Sequence, residues 1–448
     1  MRRYARSAKQ TSDGLAPDLL EEGGGSFTKG GYPMLTRRAA GKLIAGAAAS
    51  TTLVGAGFRP ALAANKVIKI GITLPLTGAD AEGANRIKYG ALLAIQQAND
   101  AGAVKGYTLV PVIMNNATTT AGQYDPAQAA TNARKLIADP EVMAAIGPEM
   151  SGDGKAMSAI YAEANFATIT PASTNPDITS PKFGSEFDPS GKAVYFRTVT
   201  TDAYQGPAMA NYFSDVLKVT SVYVLDDSGA YGVGIADTFE ARAKEKGIKV
   251  LGRDRLDPTE ADYTVALTKI KGVNPAGLYY GGVMGAGSKL VKQAYGILPH
   301  AMPKGGGDGL LAPEMLTAVG FPAAEGWYCT IAAPHLTQDP KTQPFVKLYE
   351  STYHTQPDDY AITAYDAGLV ITAALASLVD AGKPITRASV REAIQTSHTS
   401  TLQGPVAFDQ YGDIVNRTVS VFQVVENKNY PLTDIIHQFK YIGVAPTS

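Results

Sequence analysis

The feature that most constrains the fold of this chain is a repeated alternation of short apolar runs with longer helical stretches. The runs that predict buried strands cover 67–73, 107–114, 142–146, 167–170, 221–225, 248–251, 277–280 and 327–331. The stretches that predict helices cover 86–99, a segment from Asp125, 154–164, 205–217, 233–246, 263–271 and 288–295. Two successive helices, 361–378 and 387–394, and late strands at 406–408 and 418–425 complete the pattern. Strands and helices that alternate in this way form βα units with parallel strands, so we predict an α/β fold.

The N-terminal part of the chain has the composition of a cleaved export signal. Two arginines and a lysine within 37–42 precede a charge-free stretch at 43–58, and 61–63 form a small-residue cleavage site. This order is typical of a secretory signal rather than of a membrane span. The paired arginines resemble a twin-arginine signal, although the bulky pair usual before the lysine is missing. We expect translation to begin at Met34, 1–63 to be absent from the mature protein, and that protein to be periplasmic.

Composition and charge argue against several classes of partner. The chain carries 40 Lys and Arg against 41 Asp and Glu, and no basic run follows the leader. Nucleic acid or an anionic membrane surface is therefore not the expected partner. The single cysteine, Cys329, cannot form an internal disulfide and is predicted to be a buried strand residue. The chain after the leader is longer than one hydrophobic core usually supports, so two domains are expected.

Motifs for catalysis or metal binding do not emerge from the sequence. The five histidines are scattered, and none has the spacing of a metal-ligating pair. There is no nucleophile elbow of a hydrolase, and the glycines at 305–307 lack the Lys and hydroxyl residue of a phosphate loop. The carboxylate pairs at 226–227 and 358–359 are interpreted as helix caps or solvated groups. We predict no enzyme activity, no metal and no cofactor.

Two hydroxyl-rich loops follow neighbouring predicted strands. Ser151 comes shortly after the strand at 142–146, and the segment 170–174 follows the next strand. In open α/β sheets, ligands bind at the carboxyl ends of the strands, where Ser and Thr offer hydroxyl and backbone N–H groups to a carboxylate. The alternative interpretation is that both loops are ordinary turns after core strands.

A series of short motifs in a fixed order carries a family resemblance. They are Pro75-Leu76-Thr77-Gly78, Ile146-Gly147-Pro148 with Ser151, Thr170-Pro171-Ala172-Ser173-Thr174, Phe196-Arg197-Thr198 with Asp202, Gln205-Gly206-Pro207, Asp227 with Tyr231-Gly232, Tyr279-Tyr280-Gly281-Gly282, and Gly404-Pro405 before Phe408-Asp409 and Gly412-Asp413. Over 66–446 the chain resembles type I periplasmic solute-binding proteins, specifically the leucine/isoleucine/valine-binding family of ABC importers. The resemblance implies two Rossmann-like lobes with parallel sheets, joined by a three-segment hinge with crossings near 200–202, 333–335 and 405–409.

The resemblance also implies domains and a function. The first lobe would comprise 66–201 plus 335–405, and the second 202–334 plus 406–446. The chain would be a monomeric receptor that closes over a branched-chain or other apolar amino acid and delivers it to the permease of an ABC importer. The alternatives are the same transport role for an aromatic or aliphatic carboxylate or a short amide, and a ligand-sensing regulator on the same fold. A secreted hydrolase is opposed by the missing nucleophile motif.

The family's contacts to the ligand's carboxylate side fall on the first two loops. Ser151 corresponds to the serine that holds the carboxylate through its hydroxyl and backbone N–H. Thr174 matches a second carboxylate donor, and Ala172 matches a residue whose carbonyl accepts from the ligand ammonium. Ser173 lies between them and is also a candidate ligand-binding residue.

Two further contacts are expected from the second lobe, and two departures concern specificity. Tyr231 matches an aromatic residue that closes over the ligand, and Asp308 matches the acid, usually Glu, that pairs with the ammonium. The alternatives are a packed helix-start tyrosine and an aspartate that stabilises a glycine-rich turn. Gly83 stands where leucine-binding relatives place an aromatic wall, which would enlarge the pocket unless a neighbour fills the space. Glu149 is a candidate to enter the pocket mouth.

Overall fold

The computed structural model describes residues 65–446, which contain one wholly parallel sheet and a second, separate sheet that is mainly parallel. The predicted leader, its cleavage site and the expected start at Met34 lie outside the described residues. Each sheet and its helices form one lobe, and the chain passes from one lobe to the other more than once, as the family resemblance implies. The α/β fold with two lobes on mainly parallel sheets is therefore confirmed.

The first lobe is built on a five-stranded sheet with the order β2-β1-β3-β4-β5, in which all neighbours are parallel. Its strands are β1 (Lys66–Leu74), β2 (Tyr107–Asn115), β3 (Val142–Ile146), β4 (Ala167–Thr170) and β5 (Tyr195–Arg197). The helices between them are α1 (Ala81–Asp100), α2 (Pro126–Ala138), α3 (Ser151–Glu163) and the short α4 (Gly184–Phe187).

The second lobe is built on a seven-stranded sheet with the order β14-β13-β10-β9-β8-β6-β7. Its strands are β6 (Ser221–Asp226), β7 (Lys249–Arg255), β8 (Gly277–Gly281), β9 (Lys304–Gly306), β10 (Trp327–Ile331), β13 (Ser420–Val424) and β14 (Phe439–Val444). The helices are α5 (Asp202–Asp215), α6 (Ala230–Glu245), α7 (Thr264–Val273), α8 (Met284–Ile297) and the short α12 (Ile435–Gln438). The last two strands, β13 and β14, are antiparallel.

After β10 the chain returns to the first lobe. The returning elements are α9 (Gln343–Tyr353), α10 (Asp359–Asp380), α11 (Arg387–Gln395) and a hairpin of β11 (Thr399–Thr401) and β12 (Gly404–Val406). Within the described residues α10 is the one helix with the length and apolar composition of a membrane-spanning segment. It packs along α1 and over the first sheet, so most of its apolar side chains belong to that lobe's core.

Local sequence explains where the elements begin. Strands β3 and β4 are continuous apolar or small runs that are buried on both faces, as strands covered by helices on each side must be. Helix α2 begins as predicted, because Asp125 accepts hydrogen bonds from the backbone N–H groups of Ala127 at 2.9 Å and Gln128 at 3.4 Å. Pro126 occupies the first helical position, where no donor is needed. Cys329 is buried in β10, as predicted.

The segments that cross between the lobes lie side by side. The backbone N–H of Thr200 donates to the carbonyl of Ala332 at 2.8 Å. The hydroxyl of Ser420 donates to the carbonyl of Ala333 at 2.9 Å. These hydrogen bonds tie three crossing segments into one narrow connection, which suits rotation of one lobe against the other.

The third crossing lies later in the chain than expected. Val406, Phe408 and Ile414 pack in the core of the first lobe, and Val419 packs in the second. The crossing therefore falls between Ile414 and Val419 rather than near 405–409, because the β11–β12 hairpin and the turn after it remain with the first lobe. The other boundaries between the lobes, near 201 and 334, stay a prediction.

Candidate functional site

A cavity lies between the lobes at the carboxyl ends of the parallel strands. The empty space between the lobes, counted together with the part open to solvent, is about 620 Å³. The first lobe contributes Ala79, Asp80, Gly83, Ile87, Glu149, Met150, Ser151, Ala172, Asp358 and Tyr360. The second lobe contributes Tyr231, Val283, Met284, Asp308, Gly309, Leu311, Ala312, Pro313 and Glu314. The position is the one at which open α/β sheets bind ligands.

Four of the six predicted site residues line this cavity. They are Ser151, Ala172, Tyr231 and Asp308. The other two, Ser173 and Thr174, are buried and are not part of the cavity wall. The structure therefore brings the predicted carboxylate side and the predicted ammonium side of the site to one cavity.

Ser151 is the first residue of α3, which starts closer to β3 than the sequence pattern predicted. The N–H groups of a first helical turn have no partner within the helix and carry partial positive charge. The Ser151 hydroxyl oxygen accepts hydrogen bonds from the backbone N–H of Asn175 at 3.2 Å and from the Ser173 hydroxyl at 3.3 Å. Its own proton is left to be donated into the cavity. Groups of this kind stabilise a negative charge placed beside them.

Ser173 is held in the loop after β4 by hydrogen bonds of its backbone, whereas the Thr174 hydroxyl is not. The Ser173 backbone N–H donates to the hydroxyl of Thr170 at 2.8 Å, and its carbonyl accepts from the buried guanidinium of Arg197. The Thr174 hydroxyl oxygen is buried and has no hydrogen-bond partner among the described residues. Ser173 thus acts on the cavity through Ser151 rather than by lining it.

Asp308 lies at the opposite wall, directly after β9, and is held by neutral donors. Its Oδ1 accepts hydrogen bonds from the Tyr231 hydroxyl at 2.5 Å and from Gln205 Nε2 at 2.7 Å. Its Oδ2 accepts from the Tyr360 hydroxyl at 2.5 Å. Burial raises the pKa of Asp308, and these three hydrogen bonds to the carboxylate oppose that rise.

A second buried acid lies close to Asp308. Burial raises the pKa of Asp202 well above its usual range, and the Asp308 charge adds to this rise. Gln205 Nε2 bridges the two carboxyl groups, at 3.1 Å from Asp202 Oδ1. Among the described residues no Lys, Arg or His forms a salt bridge with Asp308. The charge of the Asp308 carboxylate is therefore not balanced by a salt bridge among the described residues.

Tyr360 and Gln205 are the functional residues that sequence reasoning missed. Tyr360 lies in the first turn of α10, in the first lobe, and reaches the acid of the second lobe. Gln205 was part of a family motif, but nothing in its surroundings along the chain marks it as an aspartate partner. Only the packing of α5 and α10 around β9 brings these donors to Asp308.

Four further acids of the cavity wall form a second group, since the charges of the other three act on Glu149. We call Asp80, Glu149, Glu314 and Asp358 the distal acids; all four line the cavity. Burial raises the pKa of Asp80 to about 6, that of Asp358 to about 6 and that of Glu314 to about 7. Burial also raises the pKa of Glu149 well above its usual range. Gly83 lies beside this group, since a Cβ at Gly83 would stand 3.8 Å from Glu149 Oε1.

Direct contacts between the lobes close the rim of the cavity. The Glu82 backbone N–H donates to Glu314 Oε1 at 3.2 Å, and the Thr317 hydroxyl donates to Glu82 Oε2 at 3.1 Å. On the other side, Asn175 Nδ2 donates to the carbonyl of Ala230 at 2.8 Å. The lobes are thus in a closed arrangement over the cavity.

Metal binding and nucleophilic catalysis find no support at the site. Across residues 65–446 no group of three or more His, Cys, Asp or Glu side chains is arranged to hold a metal ion. The hydroxyl of Ser151 is partnered by Ser173 and Asn175, not by a histidine base.

The chain matches known proteins over most of its length. The family model described as periplasmic binding protein matches residues 67–429. A leucine-, isoleucine-, valine-, threonine- and alanine-binding protein of Pseudomonas aeruginosa is 30% identical over 372 residues, covering 82% of this chain and 92% of the relative. A Leu/Ile/Val-binding protein homolog of Brucella melitensis is 28% identical, and the matched region covers 86% of this chain and 98% of the relative.

Solved structures show the same architecture. A leucine-binding protein from Thermotoga maritima superimposes with a TM-score of 0.71 at 25% identity, covering 84% of this chain and 98% of the other. A solute-binding protein from R. palustris in complex with benzoate has a TM-score of 0.69 at 20% identity, with coverage of 85% and 97%. At that lower identity the second likeness concerns the fold alone.

Proposed function

Because this chain belongs to the periplasmic binding protein family, we propose that its cleft binds an α-amino acid for delivery to the permease of an ABC importer. A family of this kind acts by binding and releasing a solute, without a chemical step. The observation that carries the proposal is the placement of a helix N-terminus and a buried, unpaired acid on opposite walls of one cavity.

The carboxylate of the amino acid would be held at the start of α3. Ser151 offers its hydroxyl proton and the adjacent backbone N–H groups offer partial positive charge. Hydrogen bonds from such groups to an ionised carboxylate are short and strong compared with those between neutral groups. Ala172, on the neighbouring loop, offers a carbonyl for the ligand ammonium in the same cavity.

The ammonium of the amino acid would pair with Asp308. Its three neutral donors orient the carboxylate but leave its negative charge uncompensated. Closing the lobes excludes water, so an uncompensated carboxylate at this wall favours a ligand that brings a positive charge.

An amine-free carboxylate is the less favoured ligand. Of the described residues that line the cavity none is Lys, Arg or His, whereas five are Asp or Glu. Such a lining repels a ligand whose only charge is negative. The protein solved in complex with benzoate is similar in fold, but the acidic lining of the cavity in this chain does not favour benzoate as a ligand.

Closure of the lobes would signal that the ligand is bound. A ligand shifts the open and closed populations only by its differential affinity for the closed form. Ser151 and Asp308 belong to different lobes, so a ligand that contacts both stabilises closure. Export through the predicted leader at 34–63, which resembles a twin-arginine signal, would place the receptor in the periplasm, where the permease can recognise the closed shape.

Calorimetry on the mature protein tests this proposal. We expect an α-amino acid to bind, Ser151→Ala to weaken binding about tenfold, and Asp308→Asn to weaken it about tenfold or more, on the scale of one lost charge-assisted hydrogen bond. Ser185→Ala, an exposed serine of α4, is the matched control and should leave affinity unchanged. Binding of an amine-free acid alone, with Asp308→Asn without effect, would refute the amino-acid ligand.

A further inference from the structure

The distal acids are more carboxyl groups than an apolar amino acid requires. Asp80, Glu149 and Asp358 come from the first lobe, and Glu314 comes from the second. Closure therefore brings like charges from both lobes together at the end of the cavity. Unless a positive charge joins them, this arrangement opposes the closed form.

One of these acids points to a missing partner. Glu149 Oε2 is inaccessible to solvent and has no hydrogen-bond partner among the described residues. The other three acids each accept a hydrogen bond from the backbone N–H of a neighbouring segment. A buried carboxylate oxygen without a partner loses its hydration without compensation, so it favours a donor supplied by a ligand.

The protein itself does not neutralise this end of the cavity. After burial itself, the charges that raise the pKa of Glu149 most are those of Asp80, Glu314, Asp358 and Asp153. Arg86 is a cation near this group: its charge lowers the pKa of Asp358 against the effect of burial, and its guanidinium donates to the carbonyl of Gln356 and, at 3.2 Å, to Glu82. Arg86 is not part of the cavity wall.

Space for a ligand group exists beside Glu149. Gly83 carries no side chain, and a Cβ placed there would stand 3.8 Å from Glu149 Oε1 and 3.9 Å from Pro313. Both distances are ordinary contacts, so the glycine is not needed for close packing here. Gly83 and Glu149 both line the cavity, so the space that a side chain at position 83 would occupy adjoins Glu149.

We propose that the ligand is an α-amino acid whose side chain ends in an ammonium or guanidinium group, which lies beside Gly83 and pairs with Glu149 and the other distal acids. The inference rests on the proposed function for the α-carboxylate and α-ammonium ends of the ligand. A metal ion is not the preferred cation, since the described residues hold no group of three suitable ligands. A second cationic group on the ligand would compensate the charges of the distal acids, so that these acids would favour closure of the lobes instead of opposing it.

The test compares ligands that differ only in the second charge. Calorimetry would measure L-lysine, L-ornithine and L-arginine against L-norleucine, which has the carbon chain of lysine without the second ammonium. We expect at least one basic amino acid to bind tenfold or more tighter than norleucine. The wild-type protein alone gives this result, so it does not depend on how well any variant folds.

Variants then locate the contact. Glu149→Gln keeps the shape of the side chain, and it should lower the ratio of the affinity for the basic ligand to that for norleucine tenfold or more. Glu260→Gln, an exposed acid of the second lobe, is the control and should change neither. An affinity ratio that is the same in Glu149→Gln as in the wild type would overturn the assignment.

The remaining outcomes separate this inference from the proposed function. If norleucine or leucine binds as tightly as every basic amino acid, the inference of a second cationic group on the ligand is wrong, but the proposed function as an amino-acid receptor is unaffected. Binding of a neutral amide or an amine-free acid, with no amino acid bound, would overturn both.

Discussion

At the scale of single residues, the ammonium site depends on how Asp308 is held. Two tyrosines and one glutamine donate to its oxygens, and one of the tyrosines, Tyr231, also accepts from the Gly309 backbone N–H at 3.1 Å. These donors fix the carboxylate and favour its ionised form, although burial opposes ionisation. The donors are neutral, so the charge remains for the ligand.

Tyr360→Phe tests this arrangement, because it removes one donor and keeps the ring. We expect affinity for the amino acid to fall several-fold, in line with about 1 kcal/mol for one hydrogen bond. The weakening should grow as the pH is lowered, since the carboxylate loses a donor that favours ionisation. Tyr411→Phe, whose ring is partly exposed at the surface, is the control. Equal affinity for Tyr360→Phe and wild type at every pH would show that Tyr360 does not act on the ligand through Asp308.

The site was partly predictable from the sequence at this scale. Ser151, Ala172, Tyr231 and Asp308 lie in motifs with a recognisable order, and all four line the cavity. Ser173 and Thr174 lie in an equally clear motif but are buried outside the wall, because only every second or third residue of a loop can face one cavity. Donors such as Tyr360 come from a distant helix, and no local pattern reports a partner so far along the chain.

At the scale of elements, the first lobe depends on the close approach of α1 and α10. A Cβ at Gly90 of α1 would stand 2.0 Å from the carbonyl oxygen of Ala361 in α10. The helices can be this close only because glycine has no side chain. Since Asp358 and Tyr360 lie at the start of α10, this packing also fixes one wall of the cavity.

Gly90→Ala should therefore destabilise the protein, by about 1–3 kcal/mol, because a backbone atom must move to admit the methyl group. Gly272→Ala in α7 is the matched control: no atom lies within 4 Å of the added Cβ, and alanine favours a helix. Chemical denaturation should show a loss for the first variant and an unchanged or slightly raised free energy of unfolding for the second. Equal stability of the two variants would contradict the packing of α1 on α10.

The sequence predicted strands correctly where a continuous apolar run indicates burial, and it missed a buried strand that has no such run. The strands predicted at 142–146 and 167–170 have the same first and last residues as β3 and β4 in the structure, because a run of apolar or small residues indicates burial directly. Strand β9 consists of a lysine and two glycines, so it has no apolar run, yet it lies between β8 and β10. Its position is set by its neighbours in the sheet, which a local pattern does not contain.

At the scale of the whole molecule, the two lobes meet through a cavity rich in acids. Asp80, Asp358 and Glu314 have pKa values raised by burial to about 6, 6 and 7. A group whose pKa is higher in the folded than in the unfolded protein binds a proton on folding. Its contribution to stability is present below the unfolded pKa, near 4, and is lost as the pH rises through 6 to 7.

The ligand-free protein should therefore be less stable at pH 8 than at pH 5. His335 adds to the same trend, because its contact with Asp359 at 3.0 Å raises the pKa of the imidazole against the effect of burial. Thermal unfolding across this range should show a falling melting temperature for the ligand-free protein. A saturating cationic ligand should reduce the fall, since it stabilises the ionised acids. A melting temperature that rises from pH 5 to pH 8 would contradict the account.

The most direct measurement is a crystal structure of the mature protein with the amino acid that binds most tightly. We expect the α-carboxylate within hydrogen-bond distance of the Ser151 hydroxyl and the N-terminus of α3, and the α-ammonium against Asp308. A ligand found outside this cavity, or one whose carboxylate lies at Asp308 and whose ammonium lies at Ser151, would contradict it.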